Sequence, residues 1–324
     1  MLNDMKIRFV ANKKKFALVA AIVLLIGLVC NLVLGTRMGI QFTGGTIIKY
    51  SYTGDVDKSV LQEVLAPVTD GKEDYTFAYD VITNGTDSNP NNVSVSLPAT
   101  VSLTADDLNQ VLADLQKKLP DANFRQLESN SVEATMGREF FGKCIVAIVL
   151  ASVLMLVYVA IRFRKIGGWS AGLMSLLALV HDVAIAYFVF VIFRIQLDDN
   201  FVAVVLAILG YSLNNTIVIY DRIRENRRRM GAKASLAEVV DRSINQSFRR
   251  SLFTTITTFV AVASITVVAL VYSLDSILSF SVPMMFGLVA GFYSSTFLAA
   301  PLWVGLQDWR AKRRAAKAEK NLAK

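Results

Sequence analysis

Histidine occurs once in these 324 residues, at position 181, and cysteine twice, at 30 and 144. A single histidine excludes a multi-histidine metal site built within the chain. Both cysteines fall inside apolar runs, so neither a disulfide scaffold nor a thiolate metal centre has the spacing it needs. They read instead as small buried hydrophobes. No cluster of histidine, cysteine or paired carboxylates suggests catalysis, and no cofactor or metal is expected. Low-complexity tracts are absent too. Charge is scarce wherever apolar residues are dense, and the few exceptions carry the information.

What is present is hydrophobic: 54% of the residues, with a mean hydropathy of +0.46. Six apolar runs can be drawn at Phe16–Leu34, Phe140–Ile161, Trp169–Phe193, Phe201–Tyr220, Leu252–Tyr272 and Ile277–Val304. Each is close to the roughly 20 residues that a helix needs to cross the hydrocarbon layer. The last is expected to begin or kink near Pro283. Basic residues gather before the first run (Lys13 to Lys15), after the second (Arg162, Arg164, Lys165), after the fourth (Arg227 to Arg229) and in the tail (Arg310 to Arg314). With six spans all four clusters fall on one side, which the positive-inside rule assigns to the cytoplasm together with both termini. The first run is longer than a secretory signal and lacks a small-x-small cleavage pattern, so it reads as an uncleaved anchor. Basic loops beside an anionic leaflet need no nucleic acid to explain them.

Residues 36–139 hold 8 Lys/Arg against 15 Asp/Glu, opposite in sign to the rest of the chain. They separate residues 1–35 from a bundle at 140–306, which contains a basic connection at 221–249 and is followed by a basic tail at 307–324. The excursion is long enough for a small extracytoplasmic domain. Strands are expected at Gly45–Thr53, Tyr75–Ile82, Asn92–Leu97 and Arg125–Val132. Helices are expected at Val56–Leu65 and from a Thr104 cap to Leu119, where Pro120 stops the chain. Asn84-Gly85 and residues 88–91 supply turn chemistry. The order is βαββαβ, a ferredoxin-like α+β pattern. Gly44-Gly45 reads either as a flexible lead-in to the first strand or as a hinge between bundle and outer domain.

Polar residues interrupt the apolar runs at few points. His181-Asp182 sits near the centre of the third, and a carboxylate kept in hydrocarbon usually lines a protein interior, a wet cavity or an ion path. The pair reads equally as an interhelical hydrogen-bonding element or as part of a titrating or ion-coupled network. Gly210 and Asn214 share one helical face, and Tyr211 and Asn215 an adjacent one, with Ser212 between them. Small residues admit a neighbouring helix and amides bridge helices. Gly168/Gly172 and Gly287/Gly291 repeat that spacing, and Ser294 and Ser295 offer further bonds. Arg249 reads as an interfacial anchor, whereas Arg250 with Thr254 forms a polar strip into the bundle. Asp221, Arg222, Arg224 and Glu225 continue the fourth helix as a charged cluster.

These residues carry a resemblance. Phe42-Thr43-Gly44-Gly45-Thr46, His181-Asp182, the block from Gly210 to Asn226, Asn245-Gln246-Ser247 with Arg250, and Pro283 through Pro301 resemble the SecF subunits of bacterial SecD–SecF protein-export complexes. The block at 210–226 is the most specific. The resemblance implies six spans in the cytoplasmic membrane with a ferredoxin-like outer domain between the first two. It also implies a SecD-like partner, association with the SecYEG channel or with a membrane-protein insertase, and action on unfolded preproteins in transit. An ion gradient rather than ATP would drive late translocation, and the chain would not be an enzyme. Two positions depart from the family pattern: Gln41 stands where an acid is common, and Asn215 where the fourth-span motif usually has a carboxylate. Proton transfer would then run through Asp182 and SecD carboxylates, or the chain would couple sodium, or coupling would be weakened. A small-molecule or lipid exporter of the resistance-nodulation-division type and an uncoupled scaffold are the competing functions.

Overall fold

The computed structural model describes residues 7–54, 56, 58–65, 76–80, 91–98, 105–231, 234–272 and 274–322. Six of its helices are long and apolar enough to cross a membrane. They are α1 (Lys13–Leu34), α5 (Ala134–Arg162), α6 (Gly168–Ile192), α7 (Asp199–Met230), α8 (Leu236–Val271) and a composite last helix. That last helix joins α9 (Asp275–Tyr293) through a π-helical turn at Ser294–Ala299 to α10 (Ala300–Leu322). It starts at Asp275 and runs through Pro283 rather than beginning there. Half of the most apolar stretch of α6 and of α7 is buried, against 11% for α1 and 17% for α5 and α8. The bundle therefore centres on α6 and α7, while α1, α5 and α8 keep apolar faces outward.

Glycines set the closest approaches. A Cβ on Gly168 would lie 2.0 Å from the Ala160 carbonyl oxygen, and one on Gly172 2.8 Å from Leu156, so α6 rides directly on α5. Gly287 faces Ile208 at 2.0 Å and Gly291 faces Ser212 at 3.1 Å, which seats α9 against α7. Without a hydrophobic drive between helices in lipid, such contacts supply the packing. Gly210 behaves differently: nothing lies within 4 Å of its would-be Cβ. The close approach expected there is not made among the described residues.

Between α1 and α5 the chain forms a mixed α/β unit. After a short helix α2 (Ile40–Thr43) come β1 (Gly45–Tyr52), α3 (Lys58–Leu65), β2 (Thr76–Asp80), β3 (Asn91–Pro98), α4 (Ala105–Lys118) and β4 (Arg125–Val132). The strands form one antiparallel sheet in the order β2-β3-β1-β4. Period-two alternation puts Ile48, Tyr50 and Tyr52 of β1 and Val93, Val95 and Leu97 of β3 on one buried face, packed with Leu61, Val64, Val111 and Leu115. Lys49 points the other way and pairs with Glu128 at 3.3 Å. Thr104 and the turn residues 84–90 lie outside the described residues.

The unit is clamped to the bundle. Gly44 caps α2 at φ 81°, donating its N–H to Ile40, and Gly45 opens β1 at φ 140°, both conformations that favour glycine. A Cβ on Gly45 would meet the Leu97 carbonyl oxygen at 2.1 Å. Phe42 packs its ring on Phe140 and Phe141 of α5. The Leu197 N–H donates to Arg37 and its carbonyl accepts from Gly39, which ties the lead-in strand to the connection between α6 and α7. Gly44-Gly45 is thus a packed corner rather than a slack lead-in.

A polar network inside the helical bundle

Asp182 is fully buried in α6, and three groups converge on its carboxylate. Ser212 of α7 donates to Oδ2 at 2.5 Å, and Ser294, the first residue of the π turn, donates to the same oxygen at 2.7 Å. His181 Nδ1 lies 2.9 Å from Oδ1. Three elements of the core therefore meet at one acid, and burying that acid is tolerable because its lone pairs are hydrogen-bonded. The His181 tautomer with its hydrogen on Nδ1 donates to that oxygen. The His181 ring also lines an apolar cavity of about 440 Å³ with Val23 of α1, Phe259 of α8 and Met285 of α9. Its centroid is 6.3 Å from that of Tyr293.

The π turn is what brings Ser294 to the acid. A π-helical turn inserts one residue into helical register, and such turns occur often at functional sites. Ser294, Ser295 and Thr296 are all buried there. Ser294 and Ser295 were legible in the sequence as polar residues in a span; the turn that aims them has no compositional signal.

The Asn pair on α7 splits. Asn215 is buried, and its Nδ2 has no hydrogen-bond partner among the described residues. Ser251 of α8 and Thr296 of the π turn likewise carry buried hydroxyls without a partner. An orphaned buried polar group costs about 1–3 kcal/mol unless water, an ion or another chain satisfies it. Asn214 is exposed, as is Gly210, and this amide bridges no helix among the described residues. Arg250 is exposed and makes no ion pair among the described residues. Arg250 and Thr254 are both exposed, so the strip expected of them does not enter the bundle, and Asp182, enclosed by serines and histidine, is not paired with Arg250.

Towards the end that bears the termini, α7 and α8 are laced by side chains. Tyr211 donates to Thr255 at 2.9 Å, Arg222 Nε to Gln246 at 2.6 Å, and Asn226 Nδ2 to Ser243 at 2.9 Å. The like charges in the α7 cluster are separated by cations. Asp221 takes Arg162 of α5 at 3.2 Å and Arg224 at 2.8 Å, and Glu225 takes Arg222 and Arg229. These pairs are partly exposed, so they set register more than stability.

This architecture has close counterparts. A family model described as "Protein export membrane protein SecD/SecF, C-terminal" matches residues 111–309. The protein translocase subunit SecF of Sebaldella termitidis is 31% identical over 320 residues, covering 98% of this chain and 96% of that one. The SecF of Acidaminococcus fermentans is 33% identical over 300 residues, covering 92% and 97%. Among solved structures, the translocon-associated membrane protein SecDF of Thermus thermophilus superposes with a TM-score of 0.78 at 26% identity. That superposition takes in 95% of this chain and 40% of the SecDF chain. A second SecDF structure, in a super-membrane-facing form, gives a TM-score of 0.65. A six-helix bundle with an α/β insertion, a family match across most of that bundle and relatives above 30% identity from end to end together show that this chain belongs to the SecF family of protein translocase subunits.

Proposed function

We propose that this auxiliary translocase subunit pairs with a SecD-like chain beside the SecYEG channel and promotes late export of unfolded preproteins with an ion gradient, without ATP hydrolysis. The observation that carries the pairing is the outward polar stripe. Asn214 and Arg250 lie exposed on the bundle surface, where hydrocarbon would leave them unsatisfied and a second bundle would cover them, and the open space at Gly210 admits a close approach. The SecDF structures support it as well, since this chain accounts for only 40% of the SecDF polypeptide it resembles. The coupling element is the His181–Asp182–Ser212–Ser294 network, with Asn214 and Arg250 at the partner face. The basic clusters favour cytoplasmic termini, which puts residues 36–139 outside the cytoplasmic membrane. We read that unit as ferredoxin-like, on its βαββαβ order and its β2-β3-β1-β4 sheet.

A second reading, an uncoupled scaffold for channel or insertase assembly, is favoured by Asn215, an amide where coupling would want an acid. Mild-detergent purification with mass measurement tests the pairing. The expected species is a heteromer with one copy each of this chain and a SecD-like chain. A monomer that is stable and functional in the membrane contradicts the proposal.

A further inference from the structure

A polar pocket of about 1030 Å³ opens at the end of the bundle that carries the termini. Its walls are the first turns of α8, the end of α7 and the segment that precedes α1. That segment is pinned: Asn245 accepts from the Ile7 N–H at 3.1 Å and donates to the Ile7 carbonyl at 2.9 Å, and Asp241 accepts from Val10 N–H at 2.8 Å. Phe9 is buried against Phe248 and Phe297, which holds the segment from beneath. The pinned backbone brings Arg8 into the pocket lining with Arg242 and Arg249.

The charges do not cancel internally. Arg222 also lines the pocket, but Glu225 and Gln246 occupy its guanidinium. Asp241 spends its carboxylate on backbone N–H groups and lies near Arg8. Glu238 sits exposed on the first turn of α8, whose Ser235 cap accepts its N–H. Arg242 and Arg249 are exposed and make no ion pair among the described residues; Arg249 lies over the Phe253 ring at 5.6 Å. They are seven residues apart, two turns or about 10.5 Å along one helical face, within common reach of a single phosphate.

The same face of α8 continues into the membrane. Leu252 lines the pocket, Ile256 follows it, and Phe259 lines the half-open apolar cavity that α1, α6 and α9 border with it. A cationic pocket at the membrane surface and an apolar cavity deeper down therefore lie on one helical stripe. A free anion uses only the first of these, and an acidic protein segment has no use for the second. We propose that the two cavities form one site for an anionic phospholipid such as phosphatidylglycerol, with the headgroup phosphate on Arg242, Arg249 and Arg8 and an acyl chain along Leu252 and Ile256 into the apolar cavity. Basic pockets between membrane helices bind acidic headgroups in this way.

The full chain, purified with its partner in mild detergent, is titrated with phosphatidylglycerol and with phosphatidylcholine of the same acyl chains, and retained lipid is read by native mass spectrometry. Phosphatidylglycerol should be retained preferentially. R242Q/R249Q should weaken it about thirtyfold, two basic contacts at the surface being lost, while R249K stays near wild type and shows the fold intact. V289F, which fills the apolar cavity without touching the arginines, should weaken binding of both lipids. Equal retention of the two lipids by the wild type, or unchanged retention by R242Q/R249Q, overturns the proposal. Displacement by millimolar glycerol 3-phosphate makes this a free-anion site and also overturns it. So does loss of the partner chain from R242Q/R249Q with lipid binding intact, which would make it a protein-docking surface.

Discussion

Asp182 offers the sharpest separation between holding the bundle together and doing work in it. Asp182→Ala removes the acceptor for Ser212 and Ser294 and the contact of His181. Each buried group left unsatisfied costs about 1–3 kcal/mol. Ser294 has a fallback in the Gly291 carbonyl at 3.3 Å, so about 3–5 kcal/mol is expected in total, enough to deplete the complex. Asp182→Asn is different. Its Oδ1 can accept from both serines, and its amide can donate to His181 Nδ1 once the imidazole proton moves to Nε2. The shape and all three contacts are kept while the second amide N–H and the Nε2–H lack acceptors, so the cost should be about 1–2 kcal/mol, well below that of the Ala variant. What disappears is the acid. In membrane vesicles supplied with preprotein and an imposed ion gradient, the Asn variant should reach wild-type abundance and lose most gradient-stimulated translocation. Equal translocation across the gradient range would return Asp182 to a purely structural role. Loss of the Asn complex to the same degree as the Ala complex would refute the hydrogen-bond reasoning itself.

Three further outcomes follow from local geometry. Gly287→Ala drives a methyl to within 2.0 Å of Ile208 Cδ1, so overpacking of about 1–3 kcal/mol is expected. Adding Ile208→Ala should restore part of it, read as a double-mutant cycle in detergent melting temperature; strict additivity would mean that the two helices do not meet there. Tyr50 is buried in the outer unit with its hydroxyl unpartnered among the described residues and pushed up to about 12 by burial. Tyr50→Phe should therefore be neutral or raise thermal stability by up to about 1 kcal/mol, and a clear drop would reveal a missing partner. Asp198 caps α7 through the Asn200 N–H at 3.0 Å, and burial, helped by the neighbouring Asp199 charge, raises it to about 6 from an ordinary 3.8. The folded state thus binds the proton more tightly, so Asp198 favours stability below about pH 4 and that contribution is lost as pH rises through 6. Asp198→Asn, still a good cap, should flatten that part of the pH–stability curve; an unchanged slope would place the titration elsewhere.

Much of this was readable from residue order. Long apolar runs locate six spans because the hydrocarbon layer imposes their length, and period-two patterning places β1, β3 and β4 to within a residue or two of their observed limits. Hydropathy marks what lipid covers rather than where a helix ends. That is why α8 begins at Leu236 and not near Leu252: its first turns bury Val239, Val240 and Ile244 against the bundle while showing charge outward. His181-Asp182 stood out because charge in an apolar run is costly. Its partners were hidden, since Ser212 and Ser294 come from other helices and a π turn aims one of them. The opposite fates of Asn214 and Asn215 were equally hidden. Adjacent residues differ by about 100° around a helix, and which side is covered depends on neighbours far away in sequence. Arg250 illustrates the limit: a family position fixes the residue and says nothing of what its side chain faces, which here is the outside of the bundle.

The most direct measurement is preprotein release from cells depleted of their own SecF-type subunit and supplied with this chain and a SecD-like partner. Release should accelerate when the complex is present, and the acceleration should vanish when an ionophore collapses the gradient at constant ATP. Acceleration that persists undiminished without the gradient would contradict ion coupling and make the subunit a scaffold.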